Sequence, residues 1–207
     1  MSIAVEPALS GRNRLTVAFR IILAIPHLFL VGGVGVGLAV HSGDSSSRWS
    51  LGGETGLFGV VAYLLAIVSW FMIVFAARQG PGIRQFTAFY LRWRVRSLAY
   101  LMLLEDRYPP FGDAAYPAAL SFTEETGPRN RLTVGFRIFL VIPHVIVLGL
   151  LSIAWWLTAL IAWLVILFGG AYPRGLYDFG VGMLQWYVRV EAYLLLLIDQ
   201  YPPFSFQ

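Results

Sequence analysis

The chain lacks cysteine and lysine and is poor in charged residues of either sign. Without cysteine, disulfides, thiolate metal ligands and cysteine nucleophiles are excluded. Charged side chains make up 13% of the 207 residues, whereas hydrophobic side chains make up 58% and the mean hydropathy is +0.71. These values lie outside the usual balance of a soluble domain. The composition therefore predicts a membrane protein.

All 15 basic residues are arginine, and the formal net charge is +4. In membrane proteins arginine clusters at the cytoplasmic flanks of helices and meets anionic lipid there. The positive charge is thus weak evidence for nucleic-acid binding. We expect membrane lipids with anionic headgroups, together with other membrane proteins, as partners, and no nucleic acid.

One segment of 16 residues occurs twice, as RNRLTVAFRIILAIPH at residues 12–27 and RNRLTVGFRIFLVIPH at residues 129–144. The motif YPPF also recurs, at residues 108–111 and 201–204. The first motif is offset by 117 residues and the second by 93, so the second copy is 24 residues shorter. The sequence therefore predicts two tandem modules. The divisions are a polar lead at 1–11, module 1 at 12–111, a linker at 112–128 and module 2 at 129–207.

Apolar runs predict two membrane-crossing helices in each module. A run such as residues 57–77 is 21 residues long, enough to cross a hydrocarbon core about 30 Å thick. Residues 15–40 form the other run of module 1, and the serine- and glycine-rich residues 41–56 between the two are expected to be an exposed loop. In module 2, residues 132–154 and 155–170 are expected to form two spans joined by a tight turn near Trp155 and Trp156. A single long tilted helix is the competing interpretation.

The third element of module 1, residues 86–104, carries Arg92, Arg94 and Arg96. At the bilayer centre each arginine would cost roughly 2.5 to 3.5 kcal/mol, so this helix is expected to lie in the membrane interface. There Arg92, Arg94 and Arg96, and Arg189 in module 2, would contact lipid headgroups. The predicted fold is an all-α integral membrane protein of two tandem repeats, each with two transmembrane helices and one amphipathic interfacial helix.

The arginines that flank the apolar runs predict the orientation. They are Arg12, Arg14, Arg78 and Arg84 in module 1 and Arg129, Arg131 and Arg174 in module 2. By the positive-inside rule this face should be cytoplasmic. Because two spans per module is an even number, we expect parallel repeats, about four spans, and a multi-pass protein of the inner (plasma) membrane with both termini in the cytoplasm.

A stripe of polar side chains runs along the repeated helix, at spacings that place its members on one face. A proline directly precedes the histidine in each copy and is expected to kink the helix. Arginine and histidine on this stripe could bind an anionic headgroup or substrate and transfer protons. Alternatively, each arginine pairs with an acidic residue such as Asp106, Glu191 or Asp199, and each histidine bonds a backbone carbonyl freed by the proline. The stripe consists of Asn13, Thr16, Arg20 and His27 in module 1 and of Asn130, Thr133, Arg137 and His144 in module 2.

The sequence shows no catalytic constellation: there is no phosphate-binding loop, nucleophile elbow, zinc spacing or pair of carboxylates on one helix face. His27 and His144 as axial haem ligands are a weak possibility, so no cofactor, metal site or catalytic residue is assigned. Glu191 is a carboxylate inside an apolar helix, and we expect it to pair with Arg189 or a neighbouring arginine. An enzyme is the minority hypothesis.

The motifs RNRLTV-x-FR, IPH and D-x-YPPF resemble an uncharacterised bacterial membrane family, common in actinobacteria and catalogued as domain of unknown function 4389. The resemblance covers nearly the whole chain, with one copy in each half, and includes the segment 173–176. Module 1 departs from the pattern at residues 79–82 and in the loop at 41–56. The resemblance implies a membrane protein with a repeat but brings no activity.

Three functions remain open. The chain could be an integral membrane scaffold or accessory subunit of a larger cell-envelope complex, which is the function we favour. It could instead be a carrier or channel for a small anionic or lipid-like substrate, using Arg20 and Arg137. A lipid-modifying membrane enzyme would need a nucleophile or metal that the sequence does not show.

Overall fold

A computed structural model describes residues 1–34, 56–122 and 129–206 and shows a mostly helical protein. Most of the expected loop at 41–56 and the end of the linker at 112–128 lie outside the described residues. The described elements, in chain order, are β1 (Ser2–Val5), α1 (Arg14–Ala18), α2 (Arg20–Val31), α3 (Gly56–Ala76), α4 (Pro81–Leu101), β2 (Ala118–Ser121), α5 (Arg131–Gly135), α6 (Arg137–Gly169) and α7 (Arg174–Leu194).

Two short strands correct the all-α prediction. β1 lies in the expected polar lead and β2 in the expected linker, and the two pair antiparallel with Ser2 opposite Ser121. In β2 the side chains of Ala118 and Leu120 are buried and the alternate ones are exposed. Four residues are too few for this alternation to stand out in a sequence. The fold is therefore mostly helical with a small two-stranded sheet.

α6 is one continuous helix of 33 residues, so the tight turn predicted near Trp155 is wrong. Strong helix formers fill this stretch and no glycine or proline interrupts it beside Trp155. Trp155 is buried, whereas Trp156 is exposed on the next helical position. The helix ends at Gly170, which adopts the left-handed conformation that glycine permits at a helix C-terminus. The competing interpretation, a single long helix, is the correct one.

α2 and α3 correspond to the two parts of α6. α2 has 12 residues and α3 has 21, which together equal the 33 residues of α6. By the two sequence offsets, Val31 at the end of α2 matches Leu148, and Gly56 at the start of α3 matches Gly149. Module 1 therefore has the helix of module 2 with 24 residues inserted at one point.

The contacts between modules show that α2 and α3 lie end to end. Trp163 of α6 donates its indole N–H to the carbonyl of Val17 at 2.9 Å, and Trp70 of α3 donates to the carbonyl of Val134, also at 2.9 Å. Val134 and Trp163 are about 43 Å apart along helix α5–α6, so Val17 and Trp70 are separated by a similar distance. α2 and the first 15 residues of α3 reach about 40 Å only if they are collinear.

The same contacts set the direction of the two modules. α1, which leads into α2, lies beside the end of α6, and the end of α3 lies beside α5, which leads into α6. The two long helices therefore run in opposite directions, and the parallel arrangement expected from an even number of spans is wrong. The physical reason is that neither module folds back as a hairpin: α6 is one long helix, and α2 and α3 lie end to end.

α4 and α7 form the centre of the molecule. α4 contacts α2, α3, β2 and α7, and α7 also packs on α6. Nearly every side chain in the second half of each helix is buried, so each is covered on all sides. α2, α3 and α6 bury one face against this pair and expose an apolar face. By length and composition α3 and α6 are candidate membrane spans among the described residues, but the four predicted spans are not confirmed.

Candidate functional site

The asparagines and threonines of the predicted polar stripe form helix caps. The side chain of Asn13 accepts hydrogen bonds from the backbone N–H groups of Leu15 at 3.1 Å and Thr16 at 3.3 Å. The hydroxyl of Thr16 donates to the carbonyl of Asn13 at 2.9 Å. Such a cap satisfies backbone donors that the first turn of a helix leaves free. Asn130 and Thr133 make the same bonds at the start of α5.

Arg20 is 1% exposed and is held by its own module. Its guanidinium donates to the carbonyls of Tyr100 at 3.0 Å and Glu105 at 2.8 Å, and forms an ion pair with Asp106. It also lies 4.5 Å from the ring centroid of Tyr100. Arg12 contacts the same carboxylate at 2.9 Å. One aspartate thus ties two buried arginines to the end of α4.

Arg137 repeats this arrangement in module 2. It donates to the carbonyl of Tyr193 at 2.7 Å and to Asp199 at 2.8 Å, and lies 4.1 Å from the centroid of the Tyr193 ring. Arg129 forms an ion pair with Asp199 at 2.6 Å. The pairing of Arg20 and Arg137 with aspartates matches the second of the two interpretations of the stripe. Because these arginines are already paired and bonded, neither presents a free charge to a substrate.

Burial changes two ionisation equilibria beside Asp106. Desolvation lowers the pKa of Arg12 from its ordinary value, while the Asp106 carboxylate acts against that shift. Desolvation raises the pKa of Tyr172 to about 12, and the Arg12 guanidinium, 5.8 Å from the Tyr172 ring, opposes it. Tyr172 is therefore neutral and offers no general base near neutral pH.

The two histidines lie in aromatic cages built from the other repeated motifs. Nδ1 of His27 accepts a hydrogen bond from the indole of Trp93 at 3.0 Å, and the ring stacks on Phe111 with a centroid distance of 4.5 Å. Tyr108 contacts a further side of the ring at 5.0 Å. A neutral imidazole that accepts at Nδ1 carries its own proton on Nε2, and the backbone of Pro109 interacts with this ring.

His144 has the same surroundings in module 2. Trp186 donates to its Nδ1 at 3.2 Å, the ring stacks on Phe204 at 3.8 Å, and Tyr201 lies 5.0 Å away. The motif IPH and the motif YPPF are therefore two halves of one packing unit. Sequence reasoning missed Trp93 and Trp186, although they recur at the same offset of 93 residues as YPPF and could have been found by that signal.

A buried ion pair at the centre of the molecule departs from the repeat. Nε of Arg94 lies 2.9 Å from Oε2 of Glu191, and both side chains are fully buried. The hydroxyl of Tyr90 donates to Oε1 of Glu191 at 3.1 Å, and Arg94 donates to the hydroxyl of Tyr187 at 2.8 Å. The predicted pairing of Glu191 with Arg189 is wrong, although the partner is indeed an arginine. The counterpart of Arg94 is Tyr187 and that of Glu191 is Leu98, so this pair occurs once.

Arg94 also contacts the end of α2. It donates to the carbonyl of Val31 and, at 2.9 Å, to that of Gly33. These are backbone acceptors of the kind that a helix leaves unsatisfied where it ends. Since α6 does not end at the equivalent position, module 2 has no such carbonyls to satisfy. Arg94 therefore stabilises the interruption that distinguishes module 1.

The arginines predicted to contact headgroups have protein partners. Arg94 is buried, so a headgroup contact is wrong for this residue. Arg92 and Arg96 both form ion pairs with Asp113 at 3.0 Å, and Arg96 also donates to the carbonyl of Gly112 at 2.7 Å. Arg189 donates to the carbonyl of Ser205 in the C-terminal tail. The sequence places all these arginines correctly on helices but does not show which segments cover them.

Two related grooves open on the apolar side of the molecule. The larger has a volume of about 630 Å³ and the smaller about 210 Å³. Corresponding residues line both, and each groove has one arginine of the stripe at its wall. The larger is lined by Tyr63, Ala66, Ile67, Trp70, Phe71, Arg137, Ile138, Leu194 and Leu196, and the smaller by Arg20, Ile21, Leu101, Leu103, Trp156, Ala159, Leu160 and Trp163.

Few polar groups line the two grooves. The lining is almost entirely apolar, and its arginine is engaged with carbonyls and an aspartate. Within the ranges that the structure describes, no three His, Asp or Glu side chains cluster so that they could hold a metal ion. Each groove is therefore an apolar site with one arginine at its edge, and that arginine is already bonded to the protein.

Comparison with known proteins identifies a family. The profile of the family described as "Domain of unknown function (DUF4389)" matches residues 55–112 and 131–205. The two matched segments fall in the two halves of the chain, as the repeat predicts. No curated protein and no solved structure matches the chain.

Proposed function

We propose that this chain, which belongs to the DUF4389 family, is a non-catalytic membrane scaffold or accessory subunit of a larger cell-envelope complex. One observation carries the proposal: the polar groups of the repeated motifs are used inside the molecule, whereas its apolar surface is left uncovered. Arg20, Arg137, His27 and His144 are all buried in contacts with their own module. What remains on the surface suits lipid and other membrane proteins as partners.

The proposed location is the plasma membrane with both termini on the cytoplasmic side. Two contacts support a common side for the termini. The amide of Gln185 in α7 lies 3.5 Å from the carbonyl of Ile3, and Arg189, one turn further along α7, donates to the carbonyl of Ser205. Both ends of the chain thus pack on neighbouring turns of one helix.

Purification of the affinity-tagged full chain from its native membranes tests the scaffold. The chain is extracted in mild detergent, and co-eluting proteins and lipids are quantified by mass spectrometry. If the chain is a scaffold, a partner protein should co-elute with it at a fixed whole-number molar ratio. An unrelated tagged membrane protein from the same cells is the control for adventitious capture. Elution of the chain alone with one enriched lipid or small molecule would contradict the proposal.

The larger groove favours a second candidate, a carrier for a lipid-like substrate. Its volume of about 630 Å³ and apolar lining fit an acyl chain or another small apolar group. Replacing Arg20 or Arg137 would not test this function cleanly, because both hold the fold together. The substitution Ala66→Trp fills the larger groove, and Ala159→Trp is its matched control in the smaller one. A carrier predicts that Ala66→Trp loses the enriched lipid while Ala159→Trp retains it.

A further inference from the structure

The long helices expose many apolar side chains, and their exposed sides together are here called the outer face. It is formed by the exposed sides of α2, α3 and α6, whose opposite sides pack on α4 and α7. Between Ile138 and Gly169 the sequence contains no Asp, Glu, Lys or Arg. Residues exposed on the outer face include Ile25, Phe29, Leu64, Phe75, Leu150 and Phe168.

The uncharged stretch of α6 is longer than the hydrocarbon core of a bilayer is thick. The uncharged stretch of α6 has 32 residues, about 48 Å of helix. To place all of it inside a core about 30 Å thick, the helix would have to tilt by about 50°, beyond the usual range of roughly 0 to 40°. Collinear α2 and α3 have the same combined length. A helix that lies along the membrane plane has no such limit.

Exposed arginines lie at both ends of the long helices. At one end Arg14 lies beside Gly170, and Arg174 starts α7. At the other end Arg78 follows α3, and Arg131 starts α5, which contacts α3. If the helices crossed the bilayer, these arginines would face both of its sides, whereas the positive-inside rule favours their concentration on one side. If they lie flat, both ends meet the anionic headgroups of one leaflet.

The side away from the long helices carries the strand pair and polar contacts. β2 packs on α4, and the hydroxyls of Ser2 and Ser121 bond to each other at an exposed position. Arg92 and Asp113 form a partly exposed ion pair on α4 and the segment that follows it. The molecule is therefore apolar on one side and polar on the other, as a protein embedded in one leaflet would be.

We infer that the outer face lies flat in a single leaflet that contains anionic lipid, so that the protein is held in the membrane without crossing it. This inference rests on the proposed membrane scaffold, since it requires a membrane location. α2–α3 and α6 lie antiparallel in the acyl region just below the headgroups. The arginines at both ends of the helices bind headgroups of the same leaflet, and the strand pair faces water.

Cysteine labelling tests the inference, because the natural chain has no cysteine. Gly82 near the start of α4 and Gly175 near the start of α7 are counterparts at opposite ends of the long helices. Both are exposed, and a Cβ at either position meets no neighbouring atom. The full chain carrying Gly82→Cys or Gly175→Cys is treated with a membrane-impermeant maleimide, in intact spheroplasts and in inside-out vesicles.

If the chain is embedded in one leaflet, both cysteines should be labelled in the same sample, either the spheroplasts or the inside-out vesicles. Neither cysteine should be labelled in the other sample. Reaction from opposite sides, or from neither side, would overturn the inference. Labelling after detergent extraction verifies that both thiols are reactive. Release of the protein from membranes by alkaline carbonate is a separate outcome that would overturn the proposed membrane function instead.

Discussion

The side chains of Arg94 and Glu191 form the most consequential pair of single residues. Both are withdrawn completely from solvent, and each is bonded by a tyrosine hydroxyl as well as by its partner. Taking two charges into a protein interior costs several kcal/mol per ion unless the geometry and added hydrogen bonds compensate. The tyrosines Tyr90 and Tyr187 supply those bonds. The pair therefore fixes how α4 and α7 meet.

Replacing the pair by its counterparts from the repeat tests this role. Glu191→Leu alone should cost about 3 to 5 kcal/mol of unfolding free energy, because it leaves Arg94 buried without a counterion. Adding Arg94→Tyr should restore much of that loss. The measurement is unfolding in mixed detergent micelles, followed by the fluorescence of the seven tryptophans. If the single variant were no less stable than the double variant, the ion pair would have no structural role.

Sequence reasoning reached the ion pairs of the repeat but not this central pair. Arg20 with Asp106 and Arg137 with Asp199 could be anticipated, because both partners belong to repeated motifs. Glu191 and Arg94 are 97 positions apart and occur once, so no periodicity links them. Only the packing of α4 on α7 brings them together.

The interrupted helix α2–α3 is the main difference between the two modules at the level of elements. Its two parts abut at Gly56, where φ is +68° and a Cβ would lie 2.4 Å from the backbone nitrogen of Gly32. Gly149, the counterpart in α6, lies in an unbroken helix with open space around it. This position of the repeat therefore requires glycine in module 1 but has room for a side chain in module 2.

The pair of glycines offers a matched prediction. Gly56→Ala should destabilise the protein by about 1 to 3 kcal/mol, because it introduces backbone strain and a clash with backbone atoms. Gly149→Ala should be neutral or stabilise by roughly 0.5 to 1 kcal/mol, as usual inside a helix. Thermal unfolding in detergent measures both. A stable Gly56→Ala variant would show that α2 and α3 do not abut.

Deleting residues 32–55 tests the equivalence of the long helices. Joining Val31 directly to Gly56 recreates the connection of Leu148 to Gly149 and should give a continuous helix. The carbonyl of Val31 then accepts a helical hydrogen bond, so Arg94 loses its two backbone acceptors. Leaving these buried donors unsatisfied should lower the unfolding free energy by about 1 to 3 kcal/mol.

The deletion combined with Arg94→Tyr and Glu191→Leu should therefore be more stable than the deletion alone. Tryptophan fluorescence during unfolding compares them, and circular dichroism verifies the helix content of each. If the two proteins were equally stable, Arg94 would have no role in stabilising the break between α2 and α3.

The number and position of the helices were less predictable than the repeat. The motifs at 12–27 and 129–144 are nearly identical, so their shared structure follows from the sequence. Hydropathy does not distinguish a hairpin of two spans from one long helix, because both are continuous apolar runs. The direction of α6 relative to α3 depends on contacts of Trp70 and Trp163 with distant backbone carbonyls. The two tryptophans recur at the offset of 93 residues, but the sequence does not show which carbonyls they reach.

At the scale of the whole molecule, the two modules are joined at both ends. The contact of Trp163 with Val17 lies near the end of α6, that of Trp70 with Val134 lies on α5 just before α6 begins, and the repeat relates the two. α4 and α7 join the modules again at the centre. The two modules can therefore separate only if contacts at both ends and at the centre break together, so the chain should unfold as one cooperative unit.

The substitutions Trp70→Phe and Trp163→Phe test this cooperativity. Each removes one indole donor and leaves a carbonyl without that bond, so each should lower the unfolding free energy by about 1 kcal/mol. Because the two sites are about 40 Å apart, their effects should add in the double variant to within roughly 0.5 kcal/mol. Calorimetry in detergent should show one transition that shifts in all three proteins. Two separate transitions, one for each module, would mean that the modules fold independently and that the contacts at their ends are incidental to the fold.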